Sequence, residues 1–193
     1  MDTTRTYNPS QSDGLAVRAP HRLYPDRRKR VTNGGLVFVT LGTHPQQFDR
    51  LLKEVDALVE QGKIKKKVFF QTGYSTYKPK SEYAKFLTLD DFNKKLSEAT
   101  IVITHAGEGN IGLCKNLGKK MIVIPRRKEF GEHTNDHQLE LAEVVEQKKL
   151  GLAAWKVNEL GEKLSELEKF VPKKVARGKI NELLEKFYNE ELK

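Results

Sequence analysis

The chain has 193 residues, 37% of them hydrophobic and 32% charged, with a formal net charge of +9 and one cysteine, Cys114. That length suits one domain with or without a tail, and no stretch approaches the roughly 20 consecutive apolar residues that a bilayer-crossing helix needs. Met1 to Ser10 lacks the apolar core of a secretory signal, and a lone cysteine supports neither an internal disulfide nor a thiolate metal site, so a cytoplasmic chain is expected.

The charge is uneven. Between Met1 and Gly35 seven Lys/Arg stand against three Asp, a net +4, which leaves +5 for the rest of the chain. The later charges lie on mixed Lys/Glu helices, which read as solvated faces. The run Arg27 to Arg30 is suited to phosphates or an anionic membrane surface. Residues 1–34 are expected to form a flexible basic extension, since Pro, Ser, Asn and Asp abound and no periodicity is present. Residues 35–193 are expected to form the domain with its C-terminal helices. Interleaved aromatics and a basic recognition helix are both missing, so nucleic acid is not an expected partner.

From Leu36 the pattern changes. Leu36 to Leu41 is a short apolar run without alternation, the mark of a strand buried on both faces. After Gly42-Thr43, Phe48, Leu51, Leu52, Val55, Leu58 and Val59 recur at helical spacing up to Gly62. Val68 to Thr72 reads as the second strand, ended by Gly73. A polar, proline-bearing loop follows from Tyr74 to Lys80, then an extended piece near Tyr83 to Leu87. Asp90 or Asp91 is expected to cap a helix carrying Phe92 and Leu96. Ile101 to Thr104 is a third buried strand, and His105 to Asn110 turns into a helix through Ile111, Cys114 and Leu117. Met121 to Ile124 is another strand, ended by Pro125. The loop Arg126 to Asp136 leads into a helix through Leu139, Ala142 and Val145. Leu150 to Ala154 is a last short strand, followed by helices around Glu159 to Phe170 and from about Lys174 to Glu190.

Strands alternating with helices argue for an α/β fold with a Rossmann-like, doubly wound parallel sheet. Ligands of such sheets bind beyond the carboxyl ends of the strands, at the loops after Leu41, Thr72, Thr104 and Ile124. Gly42-Thr43 and Thr72-Gly73 are small enough for a ligand to approach the backbone, and each also serves as an ordinary tight turn. His105-Ala106-Gly107-Glu108-Gly109-Asn110 places two glycines at a strand-to-helix junction, where backbone N–H groups and the positive helix end suit a phosphate. The three glycines of a dinucleotide fingerprint and the Lys-Ser/Thr of a P-loop are missing, which disfavours NAD and ATP chemistry. Arg126, directly beyond a buried strand, is placed to meet a phosphate. His133 and His137 stand four apart beside Glu132 and Asp136. His-Glu-x-x-His is absent, however, and no third ligand has sensible spacing, so no metal is expected. Donors and acceptors aimed at sugar hydroxyls fit Asp136, His137 and Gln138 better.

The segments Val37 to Thr43, Phe48-Asp49-Arg50-Leu51-Leu52, Gln71-Thr72-Gly73, Thr104-His105-Ala106-Gly107-x-Gly109, and Pro125-Arg126 with Gly131-Glu132-His133-x-x-Asp136-His137-Gln138 together resemble one family. It is the C-terminal domain family of MurG-like glycosyltransferases, and within it the small PssE-like catalytic subunits of two-component transferases. The resemblance runs in order from about Leu36 to Leu152. It implies one half of a GT-B-type enzyme that takes a UDP-sugar, most readily UDP-N-acetylglucosamine, as donor substrate and needs no cofactor. A separate membrane-anchored subunit would hold a lipid-linked acceptor and recruit this chain to the inner face of the membrane.

By that resemblance His105, Ala106, Gly107, Gly109 and Asn110 lie against the diphosphate. Glu132, His133, Asp136, His137 and Gln138 face the donor sugar and uridine, and Gly42, Thr43, Thr72 and Gly73 line the cleft towards the partner. Transfer needs a stabilised diphosphate and a base near neutral pKa. His44, His105, His133 and His137 stand near strand ends. His105, Glu132 and His133 form the candidate catalytic set, with the base here or on the partner. A non-catalytic nucleotide-binding scaffold of the same fold is the alternative. The chain departs from the family pattern at Glu108, at Asn110 and at Leu113, where an acidic ribose contact would fall.

Overall fold

Apolar, β-branched runs that cannot show one wet face must be covered on both, and the strands are. The computed structural model describes residues 34–173. The extension expected over residues 1–34, except Gly34, and the helix expected from about Lys174 lie outside them. Six strands form one sheet in the order β3-β2-β1-β4-β5-β6, every neighbouring pair parallel. They are β1 (Leu36–Thr40), β2 (Lys67–Gln71), β3 (Glu82–Ala84), β4 (Ala99–His105), β5 (Lys120–Ile124) and β6 (Leu152–Ala153). The helices between them are α1 (Asp49–Glu60), α2 (Leu89–Glu98), α3 (Glu108–Leu117), α4 (His137–Gln147) and α5 (Leu160–Lys169).

Successive strand residues feed two cores. Phe38 and Val102 pack with Leu96 of α2, Cys114 of α3 and Val145 of α4, whereas Val37, Val39 and Ile122 pack with Leu52 of α1 and Leu160 of α5. Helices therefore cover both faces, as the doubly wound reading requires. The strand order reverses between β1 and β4, and their carboxyl ends open the crevice in which such folds hold ligands.

Two expectations are corrected in detail. Thr88, not Asp90 or Asp91, caps α2: its Oγ1 accepts from the Asp91 N–H at 3.2 Å and donates to the Asp91 carboxylate at 2.8 Å. The hydroxyl sits one turn ahead of the acids, so it reaches the unpaired amide while the acids occupy the first turn. The loop after β5 also contains a 3-10 turn, Lys128–Phe130, closed by Gly131 in the left-handed conformation.

Candidate functional site

The mouth lies at the carboxyl ends of β1, β4 and β5. A line of buried hydrogen bonds crosses the strands just beneath it. The Thr40 hydroxyl donates to Gln71 Oε1 (2.6 Å), Thr104 Oγ1 donates to the Thr40 carbonyl (2.9 Å), and Asn110 Nδ2 donates to Thr104 Oγ1 (2.8 Å). Asn110 thereby fixes the first turn of α3 to β4. Gly107 is the N-cap residue of α3 and offers no side-chain cap, so the first-turn amides have no side chain closing them. At Gly109 a Cβ would meet no atom within 4 Å, which leaves open space over that turn.

His105 is buried, and its ring occupies space that two glycines vacate. A Cβ on Gly107 would come within 2.2 Å of His105 Nε2, and one on Gly42 within 2.6 Å of Cε1. These two glycines therefore seat an imidazole as well as bordering the mouth. Burial, reinforced by the Arg126 charge, pushes the His105 pKa down to about 3. The ring is neutral at physiological pH and can exchange hydrogen bonds, but it is a weak base.

Arg126 is only 1% exposed. Its NH1 donates to the carbonyls of Gln46 (2.8 Å), Gln47 (3.1 Å) and Glu132 (3.0 Å), and its NH2 to that of Leu41 (2.9 Å). Burial lowers its pKa to about 10, so it stays charged. The guanidinium thus joins the loop after β1 to the loop after β5, with those donors already engaged. Gln138, also buried, accepts the Arg126 backbone N–H at 3.0 Å. Glu132 is equally committed: its carboxylate takes Arg50 Nε at 2.6 Å and Arg50 NH2 at 2.9 Å, and accepts the Arg127 N–H at 3.1 Å.

The remaining residues surround this frame. His133 stacks on His44 with ring centroids 4.4 Å apart. Burial, then the neighbouring His133 and Arg126, holds the His44 pKa below its ordinary value. Asp136 accepts the Lys128 N–H at 3.0 Å, and His137 Nδ1 lies 3.3 Å from Glu140. Ala106 is buried and Thr43 exposed. Thr72 and Gly73 donate from their backbone to Ala84 and Lys85, and a Cβ on Gly73 would press the Gly42 carbonyl at 2.9 Å. Thr72 and Gly73 therefore buttress the mouth from one side. Leu113 packs against the core.

The sequence reading missed Arg50 as part of the site, along with Thr40, Gln71 and Thr104. A buried hydroxyl in an otherwise apolar strand was the available signal, since such a group needs a partner. Among the described residues no three His, Cys, Asp or Glu side chains gather as a metal would need. A cavity of about 540 Å³ opens at the opposite end of the sheet, beside Thr100, Lys119, Lys120 and Leu167. There Lys119 caps the carbonyls of Ser97 and Ala99, and Lys120 those of Leu167 and Glu168, so both ammonium groups serve helix ends.

Comparison with known proteins agrees with this architecture. Human UDP-N-acetylglucosamine transferase subunit ALG13 is 34% identical over 116 residues, covering 55% of this chain and 10% of that protein. MurG of Acinetobacter baumannii superposes with a TM-score of 0.56 at 15% identity, over 78% of this chain and 47% of that one. The glycotransferase of kitacinnamycin gives 0.53 at 19% identity, over 78% and 38%. The chain thus spans a tenth of the human relative and less than half of either structure, and at these identities the superpositions bear on fold. The fold is one Rossmann-like half of a GT-B arrangement. The glycosyltransferase family 28 C-terminal domain matches residues 36–189, from β1 past the end of the described residues. With the fold and the ordered strand-end motifs in agreement, this chain belongs to the glycosyltransferase family 28 C-terminal domain family.

Proposed function

We propose that this chain is the donor-binding subunit of a glycosyltransferase that moves a sugar, N-acetylglucosamine by preference, from its UDP conjugate to a lipid-linked acceptor held by a membrane-anchored partner. The observation that carries the reading is the first turn of α3. It has no side-chain cap, open space at Gly109, and a position at the strand-order reversal. A diphosphate there would take backbone N–H donors and the positive helix end, in a neighbourhood already positive from Arg126.

In this mechanism the acceptor hydroxyl attacks the anomeric carbon, the bond from that carbon to the diphosphate oxygen breaks, and UDP leaves. The amides of α3 stabilise the leaving diphosphate without a cofactor. His105, neutral and fixed by its neighbours, contributes a hydrogen bond to phosphate or sugar. The hydroxyl proton passes to His133 or to a base on the partner, since Glu132 is held by Arg50. Gln138, Arg126 and Glu132 shape the loop on which His133, Asp136 and His137 meet the sugar and uridine.

The test is calorimetric titration of the full chain with UDP-N-acetylglucosamine, then a transfer assay with and without a co-expressed membrane subunit. Binding alone, with transfer only in the pair, is expected; full transfer by the isolated chain contradicts the two-component reading. The commitment of both His105 and Glu132 favours a second reading, a nucleotide-binding subunit without catalytic groups. His133→Ala in the pair bears on this: loss of transfer by a folded variant that still binds UDP-N-acetylglucosamine supports the first reading, whereas unaltered transfer assigns the base to the partner.

A further inference from the structure

Glu108 is the first residue of α3 and stands between Gly107 and Gly109, on the turn that would take the donor diphosphate. A carboxylate there suits the helix, whose end is positive, and opposes an anionic ligand. Glu108 is exposed, and among the described residues nothing bonds to its carboxylate or pairs with it. Neither flanking glycine has a side chain to screen it. Each Cα–Cβ bond of a helix tilts towards the N-terminus, so a first-turn side chain leans over the free amides rather than away from them.

The mouth is positive apart from this residue. Arg126, whose charge reaches His105, is 1% exposed, and its Nε is buried with no partner among the described residues. Glu132 is matched by Arg50, so the Arg126 charge is left over. The uncapped amides of α3 add to it. A diphosphate is therefore attracted whether or not it carries a sugar, and Glu108 subtracts from that attraction.

How much it subtracts depends on the charge of the ligand. In a UDP-sugar each phosphate carries one negative charge. When the bond from the anomeric carbon to the diphosphate oxygen breaks, both electrons stay with the oxygen. The β-phosphate is then a terminal phosphate, with a second ionisation near pH 6. Free UDP thus carries an extra negative charge at neutral pH, on the phosphate that had held the sugar.

We infer that Glu108 discriminates between donor and product, weakening the hold on free UDP more than on the UDP-sugar and so favouring release of UDP after transfer. The inference rests on the donor reading and names a residue that sets the selectivity of that site. On a solvent-exposed turn, one extra charge at side-chain range is worth about threefold in affinity at physiological salt.

The experiment is calorimetric titration of the full chain and of Glu108→Gln with UDP and with UDP-N-acetylglucosamine. It is run at about pH 8, where the terminal phosphate is fully ionised, in about 0.15 M and about 1 M salt. Glu108→Gln keeps the size of the side chain and removes its charge. At the lower salt the variant is expected to favour UDP over UDP-N-acetylglucosamine about threefold more than the parent does. At the higher salt that difference should fade, because screening then acts within about 3 Å. An equal change for the two ligands, or none, in a variant with the parent melting curve overturns the inference and leaves the donor reading standing. Failure of the parent to bind either ligand overturns the donor reading, and this inference with it.

Discussion

Arg50 on the first turn of α1 and Glu132 in the loop before α4 form a two-pronged ion pair, Nε to Oε1 at 2.6 Å and NH2 to Oε2 at 2.9 Å. The same guanidinium donates to the Pro125 carbonyl at 3.0 Å and lies between the rings of Phe48 and Phe130, 5.0 and 4.9 Å from their centroids. Glu132 is almost fully enclosed, whereas Arg50 keeps about a fifth of its surface in water. The pair fixes where the loop carrying His133 and Asp136 stands relative to α1.

Arg50→Met should therefore strand a buried carboxylate and destabilise the chain by about 2–4 kcal/mol, the exposure of Arg50 softening the cost of a fully enclosed pair. Arg50→Met/Glu132→Met should recover part of that loss, because no charge is then left unpaired. Urea unfolding of these two variants and of Glu132→Met checks this. Simple addition of the two single costs would show that the residues do not act together.

His105 makes the fold acid-sensitive. Its pKa is near 6.5 unfolded and about 3 folded, so the neutral ring contributes stability above pH 6.5 that drains away as pH falls towards 3. Across that window this one group should cost about 1.4 kcal/mol per pH unit, because the unfolded chain binds a proton that the folded chain refuses. His105→Asn should flatten the acid limb of a stability profile measured from pH 7 to pH 4. An unchanged slope would mean that the ring is not buried neutral.

Gly107 and Gly109 should separate structure from binding. Gly107→Ala drives a methyl into the His105 ring, so it should lower the melting temperature, and His105→Ala should suppress that loss. Gly109→Val projects into open space, so its effect on stability should stay within about 1 kcal/mol. It would nonetheless crowd the first turn of α3 and weaken UDP-N-acetylglucosamine binding about tenfold, equivalent to about 1.4 kcal/mol. Titration calorimetry beside a thermal melt distinguishes the two positions.

Cys114 should be chemically silent in the folded chain. It is buried, and burial pushes its thiol pKa up to about 12, so scarcely any thiolate exists at neutral pH. A chromogenic disulfide reagent should label it only in denaturant. Rapid labelling of native protein would reveal an opening of α3 away from the sheet.

The strands were legible because Leu36 to Leu41 and Ile101 to Thr104 are too continuously apolar for a half-wet sheet, and the loop glycines marked their ends. The parallel order followed from the helical spacing between them. The mouth was legible as a set of segments, not as a set of roles. Arg126 stood beyond a strand as a phosphate ligand would, yet it turns inward to four carbonyls. Composition cannot say which way a guanidinium points when both answers keep it next to oxygen. Arg50 was overlooked for a related reason. Its partner lies 82 residues away, and an arginine beside Asp49, Lys53 and Glu54 on an amphipathic helix looks like any solvated charge.

Arg126 also limits how this mouth can change over evolutionary time. One side chain holds the backbone of two separate loops at Leu41, Gln46, Gln47 and Glu132, so lengthening or reshaping either one displaces the other. New donor preferences should then arise through coordinated exchange of both segments. A chimera that grafts the stretch from Gly42 to Gln47 alone from a relative would inherit a mismatched rim.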